Sequence, residues 1–342
     1  FCPFGIIKNM KKNYNQFKKF IKQSEEILIL THKGPDVDAF CSSLLLKQIL
    51  LELYPKKKVA FRAKQNPSLK LPGMKEIEMV KELRSDGFDL IILTDAGDLS
   101  LCIEDTDNVE DSIPQIIIDH HDTFFEKKKN TVLINENMSS ATEQVYMLFR
   151  ILYKNKFKLN EDSSTLVQYG IVADTGRFLY DITTPNTHRV FADAKSIVDV
   201  DLEDFAYRNS KFPREATHAI IKYLESLKIE KDMAYMFVDR EDLEEDLELK
   251  QGASEAQAFL RDRYLRFIQG VHWGFIIKPD MNTKNSWFVS FRSTKGYQDV
   301  RVIAEELGGG GHTYASGVLI KADSIEALLT KILNIIEKHL KA

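Results

Sequence analysis

The chain has 342 residues, of which 44% are hydrophobic and 29% are charged. This composition is typical of a globular protein, and the length is sufficient for two domains. The formal net charge is −4 and no long basic stripe is present, which argues against a protein that wraps a long nucleic acid. No run of about 18 apolar residues occurs, so neither a membrane span nor a membrane partner is predicted. The three cysteines lack CxxC spacing, which indicates a reducing compartment, the cytoplasm, and argues against a disulfide framework or a thiolate zinc site.

Strands and helices are predicted to alternate through the first half of the chain. Residues 1–9 precede Met10 and are set aside as a tag or a read-through extension. Hydrophobic spacing then predicts helices over 13–25, 39–53, 75–85, 140–154 and 161–173. Apolar runs predict strands over 27–31, 58–62, 88–94, 115–118 and 131–135. The alternation predicts an α/β fold with an N-terminal doubly wound parallel sheet.

The pattern changes beyond Pro185, where helices with polar loops are predicted over 185–212 and 213–227. Strands are then predicted over 234–239, 270–278, 286–293 and 315–320, with helices near 253–268, 299–306 and 324–340. This pattern predicts a second, smaller α/β domain with a mixed sheet. The predicted division is an N-terminal domain over 10–190, a helical linker over 191–227 and a C-terminal domain over 228–342.

Potential metal ligands directly follow three of the apolar strands. They are His32, Asp36 and Asp38 after the first, Asp95 and Asp98 after the next, and Asp119, His120 and His121 after the third, with Asp174 at the end of a helix. Chemistry in open parallel sheets lies past the carboxyl ends of the strands, so these side chains are expected to meet. A single Asp at such a place is an ordinary helix N-cap, but the whole set is hard to explain in that way. Carboxylates and imidazoles without cysteine favour Mn²⁺ or Mg²⁺ over structural zinc.

A glycine-rich stretch near the C-terminus is a second candidate site. Gly308 to Gly311 lie between a predicted helix and a predicted strand and are followed by His312. Consecutive glycines let backbone N–H groups approach an anion closely, and Arg292 on the preceding strand offers a guanidinium fork to a phosphate. The flanking helix and strand argue against a mere flexible linker. No Gly-Lys-Ser/Thr follows, which excludes a Walker loop.

These motifs together resemble the DHH phosphoesterase superfamily, including its DHH-associated C-terminal domain. The N-terminal motifs are His-x-x-x-Asp-x-Asp at 32–38, Asp95 after a strand, Asp-His-His at 119–121 and Asp-Thr-Gly-Arg-Phe at 174–178. The C-terminal motifs are Ser-Phe-Arg-Ser at 290–293, Gly-Gly-Gly-Gly-His at 308–312 and Ala-Ser-Gly at 315–317. Within the superfamily the chain looks like the two-domain oligoribonucleases, or nanoRNases, which also act as phosphatases of 3′-phosphoadenosine-5′-phosphate. The resemblance covers nearly all of the chain from Met10.

The resemblance implies a centre of two Mn²⁺ ions, with Mg²⁺ as the alternative. One ion would be bound by His32, Asp36 and Asp95, and the other by Asp38, Asp95, His120 and Asp174. Asp95, Asp119 and His121 are the expected catalytic residues: Asp95 would bridge the ions, Asp119 would orient its neighbours, and His121 would contact the scissile phosphate or support the ligands. In the second domain, the residues expected to hold a terminal nucleotide are Arg292, Gly309, Gly310, Gly311 and His312.

The resemblance also implies an activity, the hydrolysis of short oligonucleotides to 5′-nucleoside monophosphates and of 3′-phosphoadenosine-5′-phosphate to AMP. The expected partners are short RNA or DNA oligonucleotides, dinucleotides and a nucleoside bisphosphate, and a homodimer stays open. One alternative is a phosphodiesterase for cyclic or linear dinucleotides, and another is a RecJ-like single-strand exonuclease. A family II inorganic pyrophosphatase would lack the glycine–histidine motif. An inactive nucleotide sensor is the alternative from a different class, and the full ligand set argues against it.

Overall fold

The computed structural model describes residues 7–67, 69–85, 87–103, 106, 109–110, 112–121, 130–203 and 211–340. The chain divides into two compact units, Phe1–Asn209 and Ser210–Ala342. None of the described helices is both long enough and apolar enough to cross a lipid bilayer.

The N-terminal unit is an α/β fold with one parallel sheet. Its strands are β1 (Glu26–Leu30), β2 (Lys58–Ala63), β3 (Ile77–Met79), β4 (Leu90–Thr94), β5 (Gln115–Ile118) and β6 (Thr131–Ile134). Its helices of eight or more residues are α1 (Ile7–Gln23), α2 (Val37–Leu53), α3 (Ala141–Tyr153), α4 (Glu161–Asp174) and α5 (Pro185–Lys195). All strand pairs are parallel, in the order β3-β2-β1-β4-β5-β6. The predicted fold class is therefore confirmed.

The central strands are apolar at every position because both faces of the sheet are covered. In β1, Ile27 and Ile29 belong to one core cluster, whereas Leu28 and Leu30 belong to another. Successive side chains of a strand point to opposite faces, so these two clusters lie on the two sides of the sheet. The strand order reverses between β1 and β4, which are neighbours in the sheet although β2 and β3 separate them along the chain. In this fold a ligand crevice forms at such a switch point.

The prediction of a helix over 75–85 is wrong. Residues Met74–Glu76 form a single 3₁₀ turn, and Ile77–Met79 form β3, which pairs with β2 at the edge of the sheet. The apolar residues of this stretch fit the periods of both a helix and a short strand, and so short a run does not separate the two. The pairing of Phe61 with Ile77 decides in favour of the strand.

The C-terminal unit has a mixed six-stranded sheet. Its strands are β7 (Lys228–Glu230), β8 (Met233–Phe237), β9 (Trp273–Pro279), β10 (Ser286–Ser293), β11 (Gly310–His312) and β12 (Ala315–Lys321), in the order β11-β12-β10-β9-β8-β7. Its described helices are α6 (Ala216–Glu225), α7 (Arg240–Glu245), α8 (Leu247–Arg263), α9 (Val300–Glu306) and α10 (Ile325–Leu340). Only β8 and β9 pair in parallel. The second sheet is mixed, as predicted.

Helices pack on both faces of this second sheet. Phe275, Phe291 and Val318 join residues of α9 and α10 in one core. Met236 and Ile276 join residues of α6 and α8 in the other. The side chains of β10 that alternate with Phe291, namely Ser290 and Arg292, therefore lie on the α8 side of the sheet. The predicted linker, 191–227, includes α6, whose Tyr223 is fully buried in the α6–α8 core.

Candidate active site

The strand ends of the N-terminal unit place the predicted ligands at the switch point. His32 follows β1, Asp95 follows β4, and Asp119 and His120 follow β5. The sheet ladder continues into these positions, because the N–H of Asp95 donates to the carbonyl of Ile118 at 2.9 Å. The N–H of Asp119 likewise donates to the carbonyl of Ile134 at 3.1 Å. The rigid sheet therefore holds the backbone of these residues at adjacent strand ends.

The first two carboxylates lie at the start of α2. Asp36 is the N-cap of this helix, and its Oδ1 accepts from the N–H of Ala39 at 3.0 Å. Asp38 is completely buried. Its two oxygens accept from the backbone N–H groups of Ala141 at 2.7 Å and of Thr142 at 3.1 Å, at the first turn of α3. Asp38 thus joins the N-terminal ends of two helices, where the positive ends of the helix dipoles favour its charge.

Two of the predicted ligands lie in or beside unusual backbone. Asp95 has φ = 55°, in the left-handed region. Asp174 is the last residue of α4, and Gly176, Arg177 and Phe178 beyond it have φ of 54°, 64° and 66°. Left-handed conformations are strained for most residues, and such strain persists only where the surrounding structure maintains it. Asp95, Arg177 and Phe178 therefore carry such strain at or beside the strand and helix ends that hold predicted ligands.

The side chains of these segments form three overlapping groups of potential ligands. They are His32 with Asp36 and Asp95, Asp38 with His120 and Asp174, and Asp95 with His120 and His121, and within each group the ligand atoms lie within 4.8 Å of one another. Asp95 belongs to two groups and is almost completely buried. Its Oδ2 lies 3.6 Å from Nε2 of His32, and its Oδ1 lies 3.4 Å from Nε2 of His120. The six residues predicted to bind metal are therefore brought together.

The polar atoms at the centre of this cluster fit a bound cation better than they fit one another. Oδ1 of Asp95, Nε2 of His120 and Oδ2 of Asp174 are buried and lack a hydrogen-bond partner among the described residues. Nε2 of His120 lies only 2.9 Å from Oδ2 of Asp174, yet the two atoms do not have the alignment of a hydrogen bond. Unpartnered buried polar atoms are costly. Oxygen and imidazole ligands that converge in this way suit a divalent cation such as Mn²⁺.

Burial and neighbouring carboxylates shift the pKa values in the cluster. Burial raises the pKa of Asp38 well above its usual range, and the charges of Asp174 and Asp95 raise it further. Burial alone would lower the pKa of His120, but the carboxylates of Asp174 and Asp95 outweigh it and raise that pKa to about 11. The negative charge of the site therefore favours a positively charged partner.

Asp119 contacts the side chain of His121 and does not belong to any of the three ligand groups. Its Oδ1 accepts from Nδ1 of His121 at 2.9 Å and from the backbone N–H of His120 at 2.8 Å. The ring of His121 is about half exposed. The hydrogen bond that Nδ1 of His121 donates to Asp119 is the main reason why the pKa of His121 is raised. The contact with Asp119 thus engages Nδ1 of the His121 ring.

In the C-terminal unit, the strand register places Arg292 and His312 in one row. Arg292 pairs with Ala315, and Ala315 pairs with His312. Paired residues project from the same face, and two strand spacings of about 4.8 Å separate the backbones by about 10 Å. The adjacent row is formed by Ser290, Gly317 and Gly310. The small residues Ala315, Ser290, Gly317 and Gly310 thus form a floor beside the guanidinium of Arg292 and the imidazole of His312.

The three predicted glycines of this unit differ in their surroundings. A Cβ at Gly309 would lie 2.3 Å from the carbonyl oxygen of Gly317, and a Cβ at Gly311 would lie 2.6 Å from that of Ala315. A Cβ at Gly310 would meet nothing within 4 Å among the described residues. Gly309 and Gly311 are therefore required for the close packing of β11 on β12, which the sequence did not indicate. Gly310 alone of the three is open on the floor.

The structure adds Asp262, a partner of Arg292 that the sequence reasoning missed. Arg292 is not free, because its Nε donates to Oδ1 of Asp262 at 2.9 Å and its Nη1 donates to the carbonyl of Phe291 at 2.9 Å. Asp262 also accepts from Arg261. The run Arg-Asp-Arg at 261–263 has the composition of a solvated helix end, so composition alone gives no signal for this contact. The signal lies in the packing of α8 beside β10.

Two models of protein families match the chain in chain order. The DHH family, N-terminal domain, matches residues 26–171, and the DHHA1 domain matches residues 246–338. The first match lies in the N-terminal unit and the second in the C-terminal unit. The chain belongs to the DHH family and is a hydrolase of its phosphoesterase class.

Two relatives and one solved structure match most of the chain, and a third relative matches about half of it. The bifunctional oligoribonuclease and PAP phosphatase NrnA of Bacillus subtilis (strain 168) is 26% identical over 323 residues, which are 92% of this chain and 96% of the relative. The probable NrnA of Streptococcus mutans is 27% identical over 310 residues, 87% and 90% of the two chains. A probable manganese-dependent inorganic pyrophosphatase of Streptococcus equi matches only 53% of this chain and 58% of its own, at 26% identity. The crystal structure of an exopolyphosphatase-related protein from Bacteroides fragilis has the same fold, with a TM-score of 0.78, 23% identity and coverage of 97% and 98%.

Proposed function

We propose that this chain is a divalent-metal-dependent phosphodiesterase that releases 5′-nucleoside monophosphates from short oligonucleotides. On the same proposal it removes the 3′-phosphate of 3′-phosphoadenosine-5′-phosphate. The observation that carries the proposal is the set of buried, unpartnered and converging ligand atoms on Asp95, His120 and Asp174. The relatives that cover the chain almost end to end are named as oligoribonuclease and PAP phosphatase, which supports the substrate class.

In the proposed centre, one cation is held by His32, Asp36 and Asp95, and a second by Asp38, Asp95, His120 and Asp174. Mn²⁺ is the favoured ion, because imidazole and carboxylate stand together and cysteine is lacking among these residues. Divalent cations supply Lewis acidity toward a phosphate oxygen and lower the pKa of a water nucleophile. The chain itself contributes the rigid strand ends and the buried carboxylates that fix the positions of the ligands.

His121 is the proposed contact to the scissile phosphate. Its ring is oriented by Asp119 through Nδ1, and its raised pKa favours the protonated form. An imidazolium donates a charge-assisted hydrogen bond to a phosphate oxygen, and such a bond strengthens as negative charge develops. In the reaction, water adds to phosphorus, the bond from phosphorus to the 3′-oxygen breaks, and that oxygen leaves with a proton.

The floor of the C-terminal unit is the proposed site for a terminal nucleotide. Arg292 offers donors to a phosphate, and His312 offers a ring at the other end of the row, beyond Ala315. In the adjacent row, Gly310 leaves open space. A protein with net charge −4 has no general attraction for a long polyanion. Short substrates held by a few cations are therefore the proposed class. The cytoplasmic location expected from the cysteines stays a prediction.

One assay of substrate choice tests the proposal. The protein and MnCl₂ are incubated with end-labelled RNA of about two to ten nucleotides, 3′-phosphoadenosine-5′-phosphate, and linear and cyclic dinucleotides, and the initial rates are compared. The shortest RNAs and the bisphosphate should be hydrolysed fastest, to 5′-monophosphates. Asp95→Asn is the control, since it should bind nucleotide but not turn it over.

Other outcomes would replace the proposal by a definite alternative. Equal rates on long single strands would indicate a RecJ-like exonuclease. Fastest cleavage of cyclic dinucleotides would indicate a phosphodiesterase of that class. Binding of nucleotides without hydrolysis in any metal would indicate a sensor.

A further inference from the structure

The carboxylate of Asp262, near the end of α8, contacts two guanidinium groups. Its Oδ1 accepts from Nε of Arg292 at 2.9 Å and from Nε of Arg261 at 3.0 Å, and its Oδ2 accepts from Nη2 of Arg261 at 2.5 Å. Burial raises the pKa of Asp262, but the two arginines more than offset this, and the pKa lies below its usual range. Asp262 is therefore a fixed negative charge beside Arg292.

The contacts of Arg292 orient its guanidinium. A guanidinium has five N–H donors. One of them, on Nε, points to Asp262, and one, on Nη1, points to the carbonyl of Phe291. The remaining donors, one on Nη1 and two on Nη2, have no partner among the residues that the structure describes. All three lie on the terminal nitrogens, and two terminal nitrogens side by side match two oxygens of a phosphate.

The charge of this cluster stays positive in spite of Asp262. The positive charge of Arg266 lowers the pKa of Arg292 and thus belongs to the same cluster. Nη1 of Arg266 donates to the carbonyl of Ser293 at 3.1 Å. The arginines Arg261, Arg266 and Arg292 together with the carboxylate of Asp262 give the cluster a net charge of 3 − 1 = +2. A phosphate monoester carries about −1.5 to −2 at neutral pH, whereas a phosphodiester carries only one charge. The cluster therefore complements a terminal phosphate better than an internal one.

We infer that Asp262 is a positioning residue that aims the terminal nitrogens of Arg292 at a terminal phosphate of the substrate. The inference rests on the proposed function, because it assigns a role at the proposed nucleotide site. Asp262 acts through Arg292 and does not itself touch the substrate. Loss of the carboxylate frees Arg292 to rotate, so the phosphate must then restrict a flexible side chain when it binds.

The test separates binding from turnover. Asp262→Ala should raise KM for the linear dinucleotide pApA about tenfold and leave kcat within twofold, a size typical of losing a supporting contact. Hydrolysis of bis-p-nitrophenyl phosphate, which has no terminal phosphate, should not change. Asp262→Asn keeps an acceptor at Oδ1 and should restore most of the affinity. Lys222→Ala is the matched control, since it breaks another ion pair of the same unit, 2.8 Å from Asp242.

A double variant gives the sharpest readout. Because Asp262 acts through Arg292, the pair Asp262→Ala with Arg292→Ala should be no worse than Arg292→Ala alone. Additive losses, a fall in kcat, or equal damage to both substrates would overturn the inference and leave Asp262 as a structural ion pair.

Failure of the proposed function gives a different result. If the wild-type protein hydrolyses neither substrate, calorimetric binding of pApA and of unphosphorylated ApA still decides the role of Asp262. A loss confined to pApA in Asp262→Ala supports the inference, and an equal or absent loss overturns it.

Discussion

Asp119 and His121 form a pair in which one buried carboxylate orients one half-exposed imidazole. Oδ1 of Asp119 accepts from Nδ1 of His121 at 2.9 Å, while the carboxylate itself is almost completely buried. Asp119 belongs to none of the ligand groups, and it reaches the site through the ring of His121 and the backbone N–H of His120. In the proposed centre His121 holds no cation, so the loss of the Asp119 carboxylate is expected to change turnover more than cation binding.

Substitution of Asp119 should lower turnover without weakening metal binding. Asp119→Ala removes the acceptor for Nδ1, so the ring of His121 loses its orientation, and kcat should fall about 10- to 100-fold. Calorimetry with Mn²⁺ should give the wild-type affinity. In the double variant with His121→Ala the loss should equal that of His121→Ala alone. Weakened Mn²⁺ binding would instead place Asp119 among the ligands.

Asp95 offers a test of the metal centre in which charge and backbone are distinguished. Its φ of 55° is one that Asn and Asp tolerate and Ala does not, at a cost of about 1–2 kcal/mol. Asp95→Asn and Asp95→Ala should both lose activity by orders of magnitude, because both remove the proposed bridging carboxylate. Asp95→Ala should in addition unfold at a lower temperature than Asp95→Asn when both are measured in chelator. Activity within about tenfold of wild type, 1.4 kcal/mol of barrier, would refute the bridging role.

An added methyl group should lower the stability of the protein at Gly309 but not at the neighbouring Gly310. Gly309→Ala places a Cβ 2.3 Å from the carbonyl of Gly317, and overpacking of this kind typically costs about 1–3 kcal/mol. Gly310→Ala meets no atom within 4 Å, so the melting temperature should be that of wild type. Because that methyl group lies on the proposed floor, KM for pApA should rise. A destabilised Gly310→Ala or an unaffected Gly309→Ala would contradict the strand pairing of β11.

Substrate length and salt should show how the protein holds nucleic acid. With a floor only about 10 Å wide between Arg292 and His312 and no basic stripe, hydrolysis rates should fall once RNA exceeds about five nucleotides. Raising NaCl from 50 to 200 mM should weaken binding by much less than the about 10³–10⁵-fold expected of a protein with many phosphate contacts. A steep salt dependence together with undiminished rates on long RNA would contradict a short-substrate enzyme.

The sequence predicted most of the parallel sheet because buried strands of such a sheet have an unmistakable composition. Ile116 to Ile118 are apolar and buried at every position, and Asp119 and His120 must then lie at the carboxyl end of β5. The ligand cluster follows from chain order and strand ends alone. Its geometry does not, because the distance between Asp95 and His120 depends on which strands are neighbours.

The contact of Asp262 with Arg292 was not predictable for a related reason. It pairs with Arg292 across 30 residues of chain, and only the packing of α8 beside β10 brings the two together. The same limit applies to Gly309, whose need for a missing side chain arises from the carbonyl of Gly317 on the adjacent strand. Contacts between distant segments depend on register, which local patterns do not contain.

In the proposed metal centre, the convergence of Asp36, Asp38, Asp95 and Asp174 would link the folding of the N-terminal unit to the supply of divalent ions. Any ion that binds the native cluster but not the unfolded chain stabilises the unit by mass action, by about 4.1 kcal/mol at a thousandfold excess over its dissociation constant. Calorimetry should therefore show a transition of this unit that moves upward with Mn²⁺ and downward with chelator. For the proposed centre, a shortage of such ions would therefore lower the stability of the unit as well as its activity.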